Sequence, residues 1–165
     1  MMITLCGFMG SGKTTVGRLL SDALGCSFLD LDDLIVKKAG KSIPEIFAED
    51  GEPAFRQMEA RLLRQTVEKY SENTVVLSLG GGAVTTPASA ALLHEKTVCI
   101  YLRATLETLL RRLAGETAGR PLADNSVASR LAEREPVYEK TAHVTVDTDG
   151  LTPEEVTDEI IISCL

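Results

Sequence analysis

Gly7-Phe8-Met9-Gly10-Ser11-Gly12-Lys13-Thr14 is the stretch on which the reading of this chain turns. It fits G-x-x-x-x-G-K-[ST], the pattern of a phosphate-binding loop, and its flanks supply the context that such a loop requires. Met1 to Cys6 is apolar and reads as a short buried strand, while Thr14 to Leu24 carries apolar residues at helical spacing. The order is strand, loop, helix. Glycines serve the chemistry because backbone N–H groups have to turn inward around phosphate oxygens without a Cβ in the way, and the helix N-terminus adds its positive end. Gly10, Ser11, Gly12, Lys13, Thr14 and Thr15 are therefore the expected nucleotide-binding residues, with Lys13 at the β and γ phosphates and the Thr14 hydroxyl on Mg²⁺. A dinucleotide fingerprint starting at Gly10 would need glycine where Thr15 stands, so ATP or GTP is expected rather than NAD.

Outward from the loop, the 165 residues amount to one domain, 1–165, large enough to bury a core without disulfide staples. No apolar run approaches the length of about eighteen residues that a membrane span needs, and the N-terminus lacks the layout of a secretory signal. A cytoplasmic location is expected. Cys6, Cys26, Cys99 and Cys164 are scattered without a C-x-x-C pair and read as free thiols. A net charge of −7 and the lack of a basic face argue against a nucleic-acid partner.

The spacing predicts a strand over 26–30, a helix over 31–39 closed by Gly40, and a helix opened by a Ser42/Glu45 capping box with Pro44 in its first turn. A longer helix runs from Pro53 to about Tyr70. Thr74 to Leu79 and Thr97 to Leu102 are apolar, β-branched runs of the kind covered on both faces of a sheet. The first stops at Gly80-Gly81-Gly82, and Thr86-Pro87 opens a helix between the two. A helix from about Thr105 to Leu113 gives way to a polar, glycine- and proline-containing stretch over roughly 114–125, expected to be a mobile lid. Helical periodicity returns at Ser126 and is interrupted by Pro136, His143 to Val146 is the last strand, and Thr152-Pro153-x-Glu155 caps a final helix. Five strands separated by helices imply an α/β, doubly wound three-layer sandwich with a five-stranded parallel sheet, ligands lying at the strand C-terminal ends.

Taken in order, GSGKTTVGRLL from Gly10, Phe-Leu-Asp-Leu-Asp at 28–32, Gly-Glu-Pro-Ala-Phe-Arg-x-x-Glu at 51–59, the glycines at 80–82, Arg-Pro-Leu at 120–122 and Arg-x-Pro-x-Tyr at 134–138 resemble the shikimate kinase family, of nucleoside-monophosphate-kinase-like P-loop type. The resemblance spans nearly the whole chain. It implies transfer of the γ-phosphoryl group of ATP to the 3-hydroxyl of shikimate, giving shikimate 3-phosphate on the way to chorismate and the aromatic amino acids, with Mg²⁺ as cofactor. The working unit is expected to be a monomer whose partners are small molecules, with neither nucleic acid nor membrane.

Residue by residue, Asp30 and Asp32 stand at i and i+2 where a strand runs out, which predicts side chains leaving on one side. The resemblance puts Asp30 with Thr14 on Mg²⁺ and Asp32 on the attacking hydroxyl, while Asp33 reads as a helix cap. Arg56 and Arg134 lie in apolar or proline-containing sequence; a planar guanidinium matches a carboxylate in bidentate fashion, and the resemblance gives both to the carboxylate of shikimate. Glu59, one turn beyond Arg56, reads as its orienting partner. Gly80, Gly81 and Gly82 are expected against substrate hydroxyls, the region 31–60 around the acceptor, and Arg120 over the transferring phosphate as the lid closes. Arg111 or Arg112 flanks the adenine, Arg112 being carried forward as the nucleotide residue, with 147–153 as a second adenine-side loop. The chain has Val36 where the family often carries Glu. A kinase for another polyol acid such as gluconate, or a nucleotide-binding module without catalysis, would use the same loop.

Overall fold

The computed structural model describes residues 1–116 and 125–165, so Arg120 and most of the expected lid lie outside the described residues. Strands β1 (Met2–Cys6), β2 (Ser27–Asp30), β3 (Val75–Ser78), β4 (Val98–Arg103) and β5 (Val144–Asp147) alternate with helices α1 (Lys13–Leu24), α2 (Leu31–Ala39), α3 (Ile43–Asp50), α4 (Glu52–Lys69), α5 (Pro87–Lys96), α6 (Leu106–Glu116), α7 (Asn125–Thr141) and α8 (Pro153–Cys164). All strand pairings are parallel, in the order β2-β3-β1-β4-β5. The register places Asp30 beside Ser78, Ser78 beside Leu5, and Arg103 beside Asp147, so the strand C-terminal ends form one rim.

Strands β1 to β4 feed two cores because successive side chains face opposite ways, while Val144 and Val146 of β5 face only one. Ile3, Leu5, Val76, Ile100 and Leu102 pack with Val16 and Leu20 of α1 and Val156 and Ile160 of α8. Cys6, Leu77, Leu79, Cys99 and Tyr101 pack on the other face with Leu31, Ile35, Phe55, Leu63, Leu93 and Tyr138. A third, smaller cluster of Phe8, Ala104, Leu109, Val127 and Leu131 seats α6 and α7 against the phosphate loop.

Two local expectations change. Residues 114–116 continue α6 and residue 125 opens α7, so both ends of the stretch expected to be a lid are helical. Pro136 lies inside α7 without ending it. Proline removes one helix hydrogen bond at that point. The helix is held on both sides of it, by buried Val127 and Leu131 before and by buried Tyr138 after.

The C-terminal helix closes one layer through a reciprocal cap: the Glu155 N–H donates to Thr152 Oγ1 and the Thr152 N–H to Glu155 Oε1, both at 3.1 Å. Thr152→Ala removes one of these bonds and is expected to cost about 1 kcal/mol, which lowers the melting temperature by about 2–4 °C in a chain of this size. An unchanged melting temperature in a thermal scan would show that the box contributes nothing.

Candidate active site

The loop between β1 and α1 owes its shape to two glycines in the left-handed region, Gly10 at φ 85° and Gly12 at φ 95°, which side-chain-bearing residues adopt only with strain. Gly12 also occupies the N-cap of α1, and no side chain caps that helix. Its first-turn N–H groups are therefore free for an anion. Lys13 curls over the loop, its Nζ donating to the carbonyls of Gly7 at 2.7 Å and Phe8 at 3.0 Å. Burial lowers its pKa to about 8, against the pull of Cys6, Asp32 and Asp30. The loop opens onto a cleft of about 260 Å³ lined by Met9, Gly10, Gly12, Lys13, Thr14, Thr15, Asp30, Asp32, Ser78, Leu79, Gly80 and Gly81.

The two acids do share this cleft, but not by the strand geometry expected of them. Asp30 ends β2, whereas Asp32 lies in the first turn of α2. Asp30, not Asp33, is the helix cap: its Oδ1 accepts the N–H groups of Asp32 at 2.9 Å and Asp33 at 3.3 Å. A cap holds the carboxylate plane still and leaves Oδ2 facing the Thr14 hydroxyl at 3.4 Å. Asp32 has no such donor. Its pKa is raised by burial first and by the neighbouring Asp30 charge second, with Lys13 opposing.

Each of the three consecutive glycines at the end of β3 borders a different charged side chain. A Cβ on Gly80 would fall 2.8 Å from Asp32 Oδ1 and 3.3 Å from Glu59 Oε2. On Gly81 it would fall 3.5 Å from Arg134 Nη1, and on Gly82 it would overlap the Arg56 guanidinium, 2.7 Å from Cζ. The expected role against substrate hydroxyls is thus joined by a more basic one, which is to leave room for the groups that make the pocket.

Arg56, from the first turns of α4, donates to Glu59 Oε1 at 2.8 Å and lies 3.7 Å from Glu52. Glu59 is only 2% exposed, its Oε2 has no hydrogen-bond partner among the described residues, and burial raises its pKa despite the bond from Arg56. Its orienting role is as expected from the spacing, but its near-complete burial was not legible there. Arg134 projects from α7 over the ring of Phe8, 5.7 Å from the centroid, and makes no ion pair among the described residues. The Tyr138 hydroxyl, one turn further on, donates to the Gly81 carbonyl.

On the far side of the loop the structure separates the two candidate arginines. Arg112 Nη1 donates to Gly10 O at 3.2 Å and Thr148 Oγ1 at 3.3 Å, and Nη2 reaches Thr148 O at 3.5 Å, joining the phosphate loop to 147–153. Arg111 is exposed and among the described residues pairs with Glu107 alone, at 3.8 Å. Arg103 is held by Asp147 through Nε at 2.6 Å and Nη2 at 3.0 Å, which makes it a clasp between β4 and β5. Thr148 falls in the stretch 147–153 expected on the adenine side but is not singled out by the sequence: a threonine after a strand carries no signal of its own, and only the parallel register brings it to the loop.

Comparison with known proteins agrees with this arrangement. Residues 9–165 match the family model described as shikimate kinase. A shikimate kinase of Enterococcus faecalis is 43% identical over 164 residues, covering 96% of this chain and 95% of its own. Among solved structures, shikimate kinase from Aquifex aeolicus superposes with a TM-score of 0.87 at 37% identity, covering 99% of this chain and 95% of that one. Shikimate kinase from Acinetobacter baumannii in complex with shikimate superposes with a TM-score of 0.85 at 34% identity, covering 97% and 90%. A phosphate loop, a buried acid beside it and two arginines around a bare glycine turn, on a fold shared over nearly its full length with these proteins, place the chain in the shikimate kinase family.

Proposed function

We propose that this chain transfers the γ-phosphoryl group of ATP to the 3-hydroxyl of shikimate. The observation that carries the reading is the glycine turn at 80–82, which borders one acid, Asp32, and two arginines, Arg134 and Arg56, and whose Gly80 and Gly81 line the cleft at the phosphate loop together with Asp32. An acceptor needs a hydroxyl for Asp32 and a carboxylate for the arginines, and shikimate offers both on a rigid ring. Family membership supports the same acceptor.

In this mechanism the loop backbone, the α1 N-terminus and Lys13 hold the phosphates of ATP. Arg112 with Thr148 lies on the adenine side, and the region 31–60 forms the acceptor wall. Thr14 and Asp30 would hold Mg²⁺; the oxygen that the helix cap leaves free on the Asp30 carboxylate and a hydroxyl 3.4 Å from it are the hard oxygen donors this cation takes when most of its shell comes from phosphate and water. When bound, the ion neutralises charge on the β and γ phosphates. Asp32 accepts the proton of the attacking hydroxyl or aligns it for in-line attack, and burial raises its pKa in the direction a base needs. Arg56, steadied by Glu59, and Arg134 fix the carboxylate. Closure of the lid over 114–125 brings Arg120 to the transferring group and excludes water. The chain would do this as a cytoplasmic monomer; among the described residues no helix is long and apolar enough to cross a membrane.

A coupled ADP-release assay is expected to show turnover with shikimate well above that with buffer, gluconate or nucleoside monophosphates. Turnover with gluconate in preference to shikimate would instead make the arginine pair a site for an open-chain acid.

Asp32→Asn is expected to keep ATP affinity and lose about 10² to 10⁴ in kcat. Arg134→Ala is expected to leave kcat nearly intact and raise the shikimate KM by about one to two decades, the loss of a charge-assisted bond. Normal kinetics in both variants would sink the residue assignment.

The Lys13 ammonium is depressed to about 8 in the free protein, and phosphate binding favours its charged form. Nucleotide affinity is therefore full below that pH and falls as pH rises through it, by up to about tenfold per unit, with proton uptake on binding. Calorimetric titrations at about pH 7 and about pH 9.5, in buffers of differing ionisation enthalpy, check both effects. A dissociation constant that stays flat across this range would mean that Lys13 does not meet the phosphates as a titrating cation.

A further inference from the structure

Arg134 is the one charged member of the acceptor trio without an ion pair or a helix cap to steady it among the described residues: Asp32 sits in a helix turn beside Lys13, Arg56 is clamped by Glu59, and Glu59 acts on Arg134 only at longer range. What surrounds Arg134 instead is the Phe8 ring and the bare face of Gly81, against which its Nη1 lies. The carbonyl of that same Gly81 accepts the hydroxyl of Tyr138, which stands one helical turn beyond Arg134 on α7. The Tyr138 ring is fully buried and packed on Tyr101, centroids 4.9 Å apart. It is therefore a fixed post. The post is needed where it stands, since Pro136, between the two residues, deletes a backbone hydrogen bond from the helix that carries both.

We infer that Tyr138 is a positioning residue for the acceptor: by holding the Gly81 carbonyl to α7 it sets the gap between the glycine turn and Arg134, and with it the place of the shikimate carboxylate. The hydroxyl does not touch the acceptor. It acts through Gly81 on one side and, on the other, through the helix and the Arg134 guanidinium that it faces directly. Burial pushes the phenol well above its usual range, so the hydroxyl remains a donor throughout the working range of the enzyme. The inference rests on the reading of Arg134 as a carboxylate ligand.

Tyr138→Phe deletes a single oxygen and keeps the ring. It is expected to raise the shikimate KM about five- to tenfold, the size of one neutral hydrogen bond, and to leave the ATP KM within about twofold. In an Arg134→Ala background the same change is expected to add little, because both residues serve one carboxylate; a residue with a general structural role would add its full effect. An Arg134→Ala variant with normal shikimate KM overturns the acceptor-site reading itself. If Arg134→Ala raises that KM and Tyr138→Phe does not, the positioning role alone is overturned. Equal losses for ATP and shikimate, or full additivity with Arg134→Ala, overturn it too. Should the phenylalanine variant fail to fold, a fluorotyrosine placed at 138 varies the donor strength with the hydroxyl kept; a shikimate KM that does not respond then overturns the role.

Discussion

Bare backbone at Gly80–Gly82 is the constraint on which the active site depends. Three adjacent residues without side chains let Asp32, Arg134 and Arg56 close in from three different helices, and the spaces that Cβ atoms would fill lie between 2.8 Å and 3.5 Å from Asp32 and Arg134 and overlap Arg56. Any side chain at Gly82 would evict the Arg56 guanidinium. Packing in a protein interior tolerates little such intrusion. The turn follows β3, a strand buried on both faces, so its position is set by the sheet rather than by a surface loop.

The charges gathered around that turn are out of their ordinary states for one common reason, which is loss of water. Burial lowers Lys13 and raises Asp32 and Glu59. Opposite charges only partly offset this, as Lys13 does for Asp32 and Arg56 for Glu59. Buried, incompletely paired groups are costly to keep, and functional sites are where proteins carry such costs. The phosphates on one side and the acceptor carboxylate on the other would complete the pairing of Lys13 and Arg134.

Much of this was legible in the chain because local rules and global fold agree. Strand, glycine loop and helix in succession, capping residues at Ser42 and Thr152, and glycine stops at Gly25 and Gly40 all appear in the structure where spacing puts them. Where the reading slipped, a tertiary effect had overridden a local one. Pro136 predicts an interruption, yet packing on either side carries α7 through it. Asp30 and Asp32 were expected to leave the strand end on one side; α2, over the residues expected of it, already holds Asp32 in its first turn, and the acids are brought together by a helix turn.

From sequence alone came the class of chemistry and its cast: a phosphate loop, paired acids, two arginines outside charge runs, and a run of glycines that had to be near something. These are covalent facts, since the identity of a residue and its spacing set which hydrogen bonds and charges exist to be used. Distances between elements far apart in the chain are not, because they follow from strand order and helix packing. The order β2-β3-β1-β4-β5 brings Asp32, Gly80, Arg56 and Arg134 onto one rim, sets Arg112 rather than Arg111 against the phosphate loop, and buries Glu59 and Tyr138 beside the glycine turn. The Gly7–Thr14 loop is legible in the chain by itself; what surrounds the glycine turn across the cleft is decided only by the fold.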